Sequence, residues 1–123
     1  MLNVKVFATT GEMGRAAAAE VAAKIVELLG KKEEVNMIFA AAPSQEAFLN
    51  SLIADSRIDW TRINAFHMDE YIGVGPSAPQ SFAHFLRERI FDRVPFRSVY
   101  CLDGLASDRD AECARYAGLL QRY

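Results

Sequence analysis

The stretch Ile63-Asn64-Ala65-Phe66-His67-Met68 runs directly into Asp69-Glu70-Tyr71, and the loop after it contains Gly73 and Gly75. The first part has the apolar character of a buried strand, and the glycines indicate a turn. The sequence therefore predicts a strand from Ile63 to Met68 that ends abruptly in two carboxylates and a tyrosine.

Similar runs on either side of this strand predict a four-stranded arrangement. The other three predicted strands are Val4–Ala8, Val35–Ala42 and Ser98–Leu102. Val35–Ala42 shows no alternation of polar and apolar residues, as expected for a parallel strand that is covered on both faces. Because helical segments separate the strands, we expect an α/β fold with a parallel sheet and right-handed crossovers.

The helical segments carry start and stop signals. Thr9 and Glu12 have the spacing of a capping box, and the helix that they begin should run to Leu29. We expect Ser44 to cap the second helix and Gln80 to Asp92 to form the third. Ser107 and Asp110 have capping spacing before a last helix that ends at Tyr123.

The composition excludes several classes of protein. The 123 residues suffice for one compact domain, with 51% hydrophobic and 24% charged residues. A formal net charge of −2 does not favour nucleic acid as a partner, and no apolar run reaches transmembrane length. Met1 leads directly into a strand-like segment without a signal peptide, so we expect a cytoplasmic protein. Cys101 and Cys113 lack metal-ligand spacing and are expected to be two buried thiols.

Ligands of open α/β sheets bind beyond the carboxyl ends of the strands, which draws attention to Asp69 and Glu70. In strand geometry the two side chains point to opposite sides, so one can face a pocket while the other holds the loop. Partial burial would raise the pKa of such a carboxylate toward the range useful for proton abstraction. The alternative is that Asp69 caps a turn and Glu70 is solvated.

The end of the second predicted strand, Ala41-Ala42-Pro43-Ser44-Gln45, is a candidate phosphate site. A strand end that leads into a helix presents free N–H groups and the positive end of the helix dipole, and Ser44 and Gln45 add side-chain donors. The alternative is that Ser44 only caps the helix. His67, inside its strand, is interpreted as a core histidine rather than a catalyst.

The segment Phe66-His67-Met68-Asp69-Glu70-Tyr71-Ile72-Gly73 resembles the Phe-x-Met-Asp-Glu-Tyr-x-Gly segment of the glucosamine-6-phosphate deaminase/isomerase family. Further matches follow the same order along the chain: Asp59-Trp60, Pro79-Gln80-Ser81-Phe82, Leu102-Asp103-Gly104, Asp110-Ala111-Glu112-Cys113 and Tyr116. Several matched segments in one order are more specific than any one of them.

The resemblance implies a doubly wound, Rossmann-like parallel sheet and a sugar-phosphate substrate. Members of the family convert glucosamine 6-phosphate into fructose 6-phosphate and ammonia. The matching aspartate, Asp69, would be the general base that moves a proton between C2 and C1, with Glu70 and Tyr71 in supporting roles. The resemblance implies no metal and no organic cofactor.

Two departures from the family pattern qualify these expectations. The turn that reads Thr-Gly-Gly-Thr-Pro or close to it in the deaminases reads Ala40-Ala41-Ala42-Pro43-Ser44 here, which makes close approach of the backbone to a phosphate harder. Family members are also about twice as long. We therefore expect residues 1–123 to be the N-terminal part of a single domain, inactive without a C-terminal half of the same protein, and a homo-oligomer remains open.

Two other functions fit the same residues. The 6-phosphogluconolactonases share the fold and have an acidic segment at a similar place, although they resemble Met68-Asp69-Glu70-Tyr71 less well. A non-catalytic sugar-phosphate-binding regulator is the third possible function, because an altered phosphate-binding turn is expected in an enzyme that has lost its activity.

Overall fold

Three parallel strands form the sheet of the computed structural model, which describes residues 1–123: β1 (Val35–Phe39), β2 (Ile63–His67) and β3 (Ser98–Tyr100). They lie in the order β1-β2-β3. Phe39 pairs with His67 and Phe66 pairs with Tyr100. The carboxyl ends of the strands therefore lie side by side at one edge, where a doubly wound α/β sheet holds its ligands.

Four helices surround the sheet: α1 (Thr10–Leu29), α2 (Glu46–Ile53), α3 (Phe82–Leu86) and α4 (Arg109–Arg122). Short 3-10 turns at Pro43–Gln45 and Trp60–Arg62 precede α2 and β2. A π-helical turn, Arg87–Phe91, continues α3. No helix has the length and apolarity needed to span a membrane.

The main core lies between the sheet and the helices α1, α2 and α3 with its π-helical continuation. The buried side chains Leu49, Leu52, Ile63 and Leu86 are at most 1% exposed. Helices α1 and α2 approach so closely that a Cβ atom at Gly14 would lie 2.6 Å from the backbone of Ala47. On the opposite face, the ring of Phe66 packs against Tyr116 of α4.

The predicted first strand, Val4–Ala8, is absent. Residues 1–7 have no regular structure, and Val4 and Val6 are 71% and 88% exposed. Ordering a strand costs about 1–2 kcal/mol of backbone entropy per residue, and this must be offset by burial. Nothing within residues 1–123 covers the faces of such a strand, so the apolar run alone does not produce one.

The prediction that Val35–Ala42 is buried on both faces is wrong for β1. Val35 and Phe39 are buried, whereas Asn36 and Ile38 point to the other face and are exposed. The strand also ends at Phe39. By contrast, every residue of β2 is buried, since this strand is central and α4 covers its second face.

Helix boundaries are confirmed at α1 and corrected elsewhere. The capping box of Thr9 and Glu12 is present in full. The third helix begins at Phe82 because Ser81 is extended and its hydroxyl accepts the His84 N–H. The last helix is capped by Asp108 rather than Ser107, since the Asp108 carboxylate accepts the Ala111 N–H.

The two cysteines differ from expectation. Both are free thiols, but Cys113 is exposed and Cys101 is only half-buried. Burial is the main reason that the pKa of Cys101 is raised above its usual value. Cys113 is exposed because it lines an open pocket between the start of α4 and the loop that contains Tyr71.

Candidate functional site

The candidate site lies where β1, β2 and β3 end. The Met68 N–H donates to the Phe39 carbonyl at 3.1 Å, one step beyond the last assigned residue of β2. The segment 40–45 after β1 and the segment 68–71 after β2 therefore leave the sheet as neighbours. The two segments singled out in the sequence are brought together at one edge.

Glu70 is turned inward and holds the loop. Its side chain is 4% exposed. Its carboxylate accepts hydrogen bonds from the Ser81 hydroxyl at 2.7 Å, from the N–H groups of Phe82 and Ala83 at 3.0 Å, and from the Tyr71 N–H at 2.9 Å. Two of these donors are the first N–H groups of α3, which have no partner within the helix. The alternative of a solvated Glu70 is therefore wrong.

These hydrogen bonds set the charge of Glu70. Burial raises the pKa of the carboxyl group, but the bonds from Ser81, Ala83, Tyr71 and Phe82 act against burial and leave the pKa below its usual value. The carboxylate is therefore ionised at neutral pH. It is an anchor with its acceptor sites in use rather than a base free to take a proton.

Asp69, by contrast, is exposed at the edge of the sheet. The expected loop-holding carboxylate is present in Glu70, but the expected pocket-facing one is not, since Asp69 lines neither of the two pockets described below. The expected partial burial of Asp69 is also absent, because nothing within residues 1–123 covers it.

Tyr71 extends the same loop outward. Its ring is 52% exposed and lies 4.5 Å from the ring of Phe82, centroid to centroid. The following turn has Gly73 at φ +81°, a conformation that favours glycine, and the Gly73 N–H donates to the Gly104 carbonyl at 2.7 Å. A Cβ atom at Gly104 would lie 2.5 Å from the carbonyl oxygens of Tyr71 and Val74, so the loop closes tightly on this glycine.

His67 is a fully buried histidine next to these groups, as the sequence indicated. Its Nδ1 accepts the Leu102 N–H at 3.2 Å, and its Nε2 lies 3.5 Å from Oε2 of Glu70. Burial lowers the pKa of the imidazole, although the negative charges of Glu70 and Asp69 oppose this effect. The ring is therefore neutral at pH 7.

The candidate phosphate segment is more open. Ser44 is exposed and its side chain caps no helix, since the turn begins at Pro43 and the Gln45 N–H bonds to the Ala42 carbonyl. The expectation that Ser44 caps the second helix is wrong. Ala41 and Ala42 are half-buried, and Ala41 packs against the core.

Ser44 and Gln45 line a pocket of about 320 Å³ against the first turns of α1. A second pocket, of about 220 Å³, lies between Tyr71, Gly104 and the start of α4. Asp69 lines neither pocket. No group of three or more His, Cys, Asp or Glu side chains in residues 1–123 is arranged to hold a metal ion.

Several residues that shape the site were not assigned a role from the sequence. Ser81 contacts Glu70 across an eleven-residue separation, which no local pattern reveals. Glu112 accepts the Asp103 N–H at 2.8 Å, and Arg115 donates to the Cys101 carbonyl at 3.0 Å. These two hydrogen bonds join α4 to the segment that follows β3. The Glu112–Arg115 spacing of three residues on a helix was the available signal.

Curated relatives of this chain are deaminases. Over 119 residues the chain is 30% identical to the glucosamine-6-phosphate deaminase of Bacillus cereus (strain G9842) and 29% identical to that of Bacillus thuringiensis (strain Al Hakam). Each match covers 97% of this chain and 44% of the relative. The chain therefore spans less than half the length of these relatives.

Solved structures of the same fold include both kinds of enzyme. A monomeric glucosamine-6-phosphate deaminase of the NagB superfamily superposes with a TM-score of 0.84 at 25% identity, covering 98% of this chain and 51% of that one. A 6-phosphogluconolactonase from Shewanella baltica OS155 gives a TM-score of 0.84 at 18% identity, covering 95% and 50%, a likeness of fold alone. The family model described as glucosamine-6-phosphate isomerases/6-phosphogluconolactonase matches residues 8–123. This chain belongs to that family.

Proposed function

We propose that this chain is the N-terminal part of a sugar-phosphate isomerase/deaminase that acts on an amino-sugar phosphate such as glucosamine 6-phosphate, with Asp69 as its general base. The relatives named above are glucosamine-6-phosphate deaminases, and each is about twice as long. The complete activity therefore belongs to a longer protein that includes residues 1–123.

The observation that carries the proposal is that two adjacent carboxylates differ in burial and hydrogen bonding. Glu70 is buried and held by four donors, whereas Asp69 is exposed at the ligand-binding edge of the sheet. A base must reach a proton on the substrate, and its backbone must be held in place while it does so. The anchored Glu70 fixes the chain beside Asp69 and leaves the Asp69 carboxylate available.

The proposed step is a proton transfer within the open-chain sugar. Asp69 takes the proton from C2, next to the carbonyl carbon C1, and returns it to C1, while the C1 oxygen gains a proton and the C2 amine loses one. C1 becomes a CH2OH group and C2 becomes an imine, which water hydrolyses to a ketone with release of ammonia. Covering Asp69 with substrate and with the remaining part of the protein would exclude water and make it a stronger base.

The phosphate of the substrate would lie against the end of β1. Ser44 has a hydroxyl group that caps no helix, and Gln45 adds an amide beside the same pocket. Ala41 and Ala42 would contribute backbone contacts, although their Cβ atoms keep a phosphate farther away than glycines would. The altered turn therefore predicts weaker or different phosphate recognition from that of a glycine-rich site.

Replacing Asp69 with Asn in the full-length protein tests the assignment. We expect kcat for ammonia release to fall by about 10²-fold or more, with a smaller change in KM, because the amide cannot accept the proton. Asp110→Asn, an exposed carboxylate on α4 with the same change in charge, is the matched control and should leave kcat unchanged. Retention of turnover on every amino-sugar phosphate tried would show that Asp69 is not the base.

The family description also names 6-phosphogluconolactonases, so lactone hydrolysis is the second candidate. Ammonia release from glucosamine 6-phosphate and hydrolysis of 6-phosphogluconolactone, assayed on the same preparation, separate the two activities. Binding of a sugar phosphate in calorimetry without either turnover would instead support a non-catalytic regulator.

A further inference from the structure

We propose that His67 is a positioning residue that ties the segment carrying Asp69 to the end of β3 through its Nε2–H tautomer. The effect of this tie on turnover rests on the proposed role of Asp69. The tautomer itself does not depend on that role.

The geometry around the ring fixes which nitrogen carries the proton. Nδ1 lies 3.2 Å from the Leu102 nitrogen, whose N–H points at it, so Nδ1 must be the unprotonated acceptor. Nε2 then carries the hydrogen and faces Oε2 of Glu70 at 3.5 Å, an attraction that is too long to be a strong hydrogen bond. With the proton on Nδ1, two N–H groups would face each other and a lone pair would face the carboxylate.

The ring therefore bridges two loops of the site edge. Leu102 is the second residue after β3. The segment that contains it is joined to the 70–74 loop at Gly104, whose carbonyl accepts the Gly73 N–H. Glu70 is adjacent to Asp69 and carries the N-terminus of α3. His67 lies behind both, fully buried, where no substrate can reach it.

The bridge has a consequence for the position of Asp69. Its peptide lies between the last residues of β2 and the Glu70 anchor, so displacement of Glu70 would move the base. Nε2 is also a buried polar atom that makes no hydrogen bond in the chain, so its attraction to the Glu70 carboxylate at 3.5 Å is electrostatic. A histidine whose second nitrogen had no function would be replaceable by an apolar side chain of similar size.

Nitrogen-15 NMR of the full-length protein at neutral pH tests the tautomer directly. We expect one protonated ring nitrogen, Nε2, and an unprotonated Nδ1 for the His67 signal, which is assigned by its loss in the His67→Asn variant. A signal from the Nδ1–H tautomer, or from the doubly protonated ring, would overturn the proposal.

Kinetics of His67→Asn and His67→Leu test the role in positioning. The asparagine oxygen can still accept the Leu102 N–H, whereas leucine fills space without any polar atom. We expect kcat per folded molecule to fall about tenfold in His67→Leu and less in His67→Asn, with KM changed less than twofold, since misplacement of a base acts on the chemical step. Equal kcat values in both variants, after correction for the folded fraction from urea denaturation, would reduce His67 to a core residue.

The two proposals fail in distinguishable ways. Full activity of Asp69→Asn removes the base assignment, while the NMR result still decides the tautomer. Loss of activity in Asp69→Asn combined with wild-type kcat in His67→Leu keeps the base and removes the positioning role.

Discussion

The ends of β1 and β2 lie side by side, yet they are built in opposite ways. The end of β2 is held by side-chain hydrogen bonds that cross long stretches of sequence, such as Ser81 to Glu70 and Leu102 to His67. The end of β1 has only a backbone turn at Ala42–Gln45 and an exposed Ser44. The comparison teaches that the candidate base follows a strand end held by side chains from distant segments, whereas the candidate phosphate segment is held only by its own backbone turn and by the packing of Ala41 against the core.

The largest effect expected from this comparison is that of Glu70→Ala. Removal of the carboxylate leaves the Phe82 and Ala83 N–H groups and the Ser81 hydroxyl without their partner. Each buried donor left without a partner costs about 1–3 kcal/mol, so we expect a loss of roughly 3 kcal/mol or more in the free energy of unfolding. Urea denaturation measures it.

Glu88→Ala is the control for this substitution. Glu88 lies on the π-helical continuation of α3, and its 58% exposed side chain makes only surface ion pairs, with His84 and Arg89. We expect a change below about 1 kcal/mol. Equal losses in the two variants would mean that Glu70 does not anchor the loop.

The second largest effect on stability is expected at Gly104, against which the 70–74 loop packs. In Gly104→Ala the new Cβ would meet two carbonyl oxygens at 2.5 Å, and both belong to the backbone. Overpacking of this kind costs about 1–3 kcal/mol. Gly118→Ala is the matched control: nothing lies within 4 Å of its Cβ, it is within α4, and we expect about 1 kcal/mol of stabilisation. Thermal unfolding midpoints that move in the same direction would contradict the close packing.

These two predictions show where sequence reasoning ends. The apolar run of β2, the loop-holding carboxylate that follows it and the capping box of α1 follow from local patterns, and the structure has all three. The expected pocket around Asp69 is missing, because a local pattern does not show what covers a side chain. The partners of Glu70 could not be found in this way, because a carboxylate reaches Ser81 only after the 71–80 loop has closed. The prediction of a strand at Val4–Ala8 failed for another reason. An apolar run shows which residues could pair in a sheet, but it does not show whether other parts of the chain pack against them.

A third and smaller effect is expected from pH. A change of pH alters the charges of groups at the end of β2, and with them the free energy of unfolding, without removing any atoms. The pKa of His67 is below its ordinary 6.5 in the folded chain, so the unfolded chain binds more protons below pH 6.5 and stability falls as the pH drops through that range. The pKa of Glu70 is also below its ordinary 4.5, so its contribution is present above pH 4.5 and is lost as the pH falls further.

Urea midpoints measured from pH 8 to pH 2 should therefore decrease in two stages. His67→Asn should abolish the first stage only. Asp55 and Glu112, whose pKa values are lowered to about 2, add to the loss at the acid end, so Glu70→Gln compared with the unsubstituted protein isolates the share of Glu70. A midpoint that does not change between pH 7 and pH 5 would be inconsistent with a buried neutral His67.

The smallest expected effect comes from replacing two serines with alanine, one near the end of β1 and one before α3. Ser81 caps α3 and also donates to Glu70, so Ser81→Ala should cost about 1–2 kcal/mol. Ser44 caps nothing, so Ser44→Ala should change stability by less than about 0.5 kcal/mol. If Ser44 instead serves the substrate, its replacement should raise KM while the urea midpoint stays constant. A loss of stability in Ser44→Ala as large as that in Ser81→Ala would mean that the end of β1 is as rigidly built as the end of β2, and the contrast between the two would disappear.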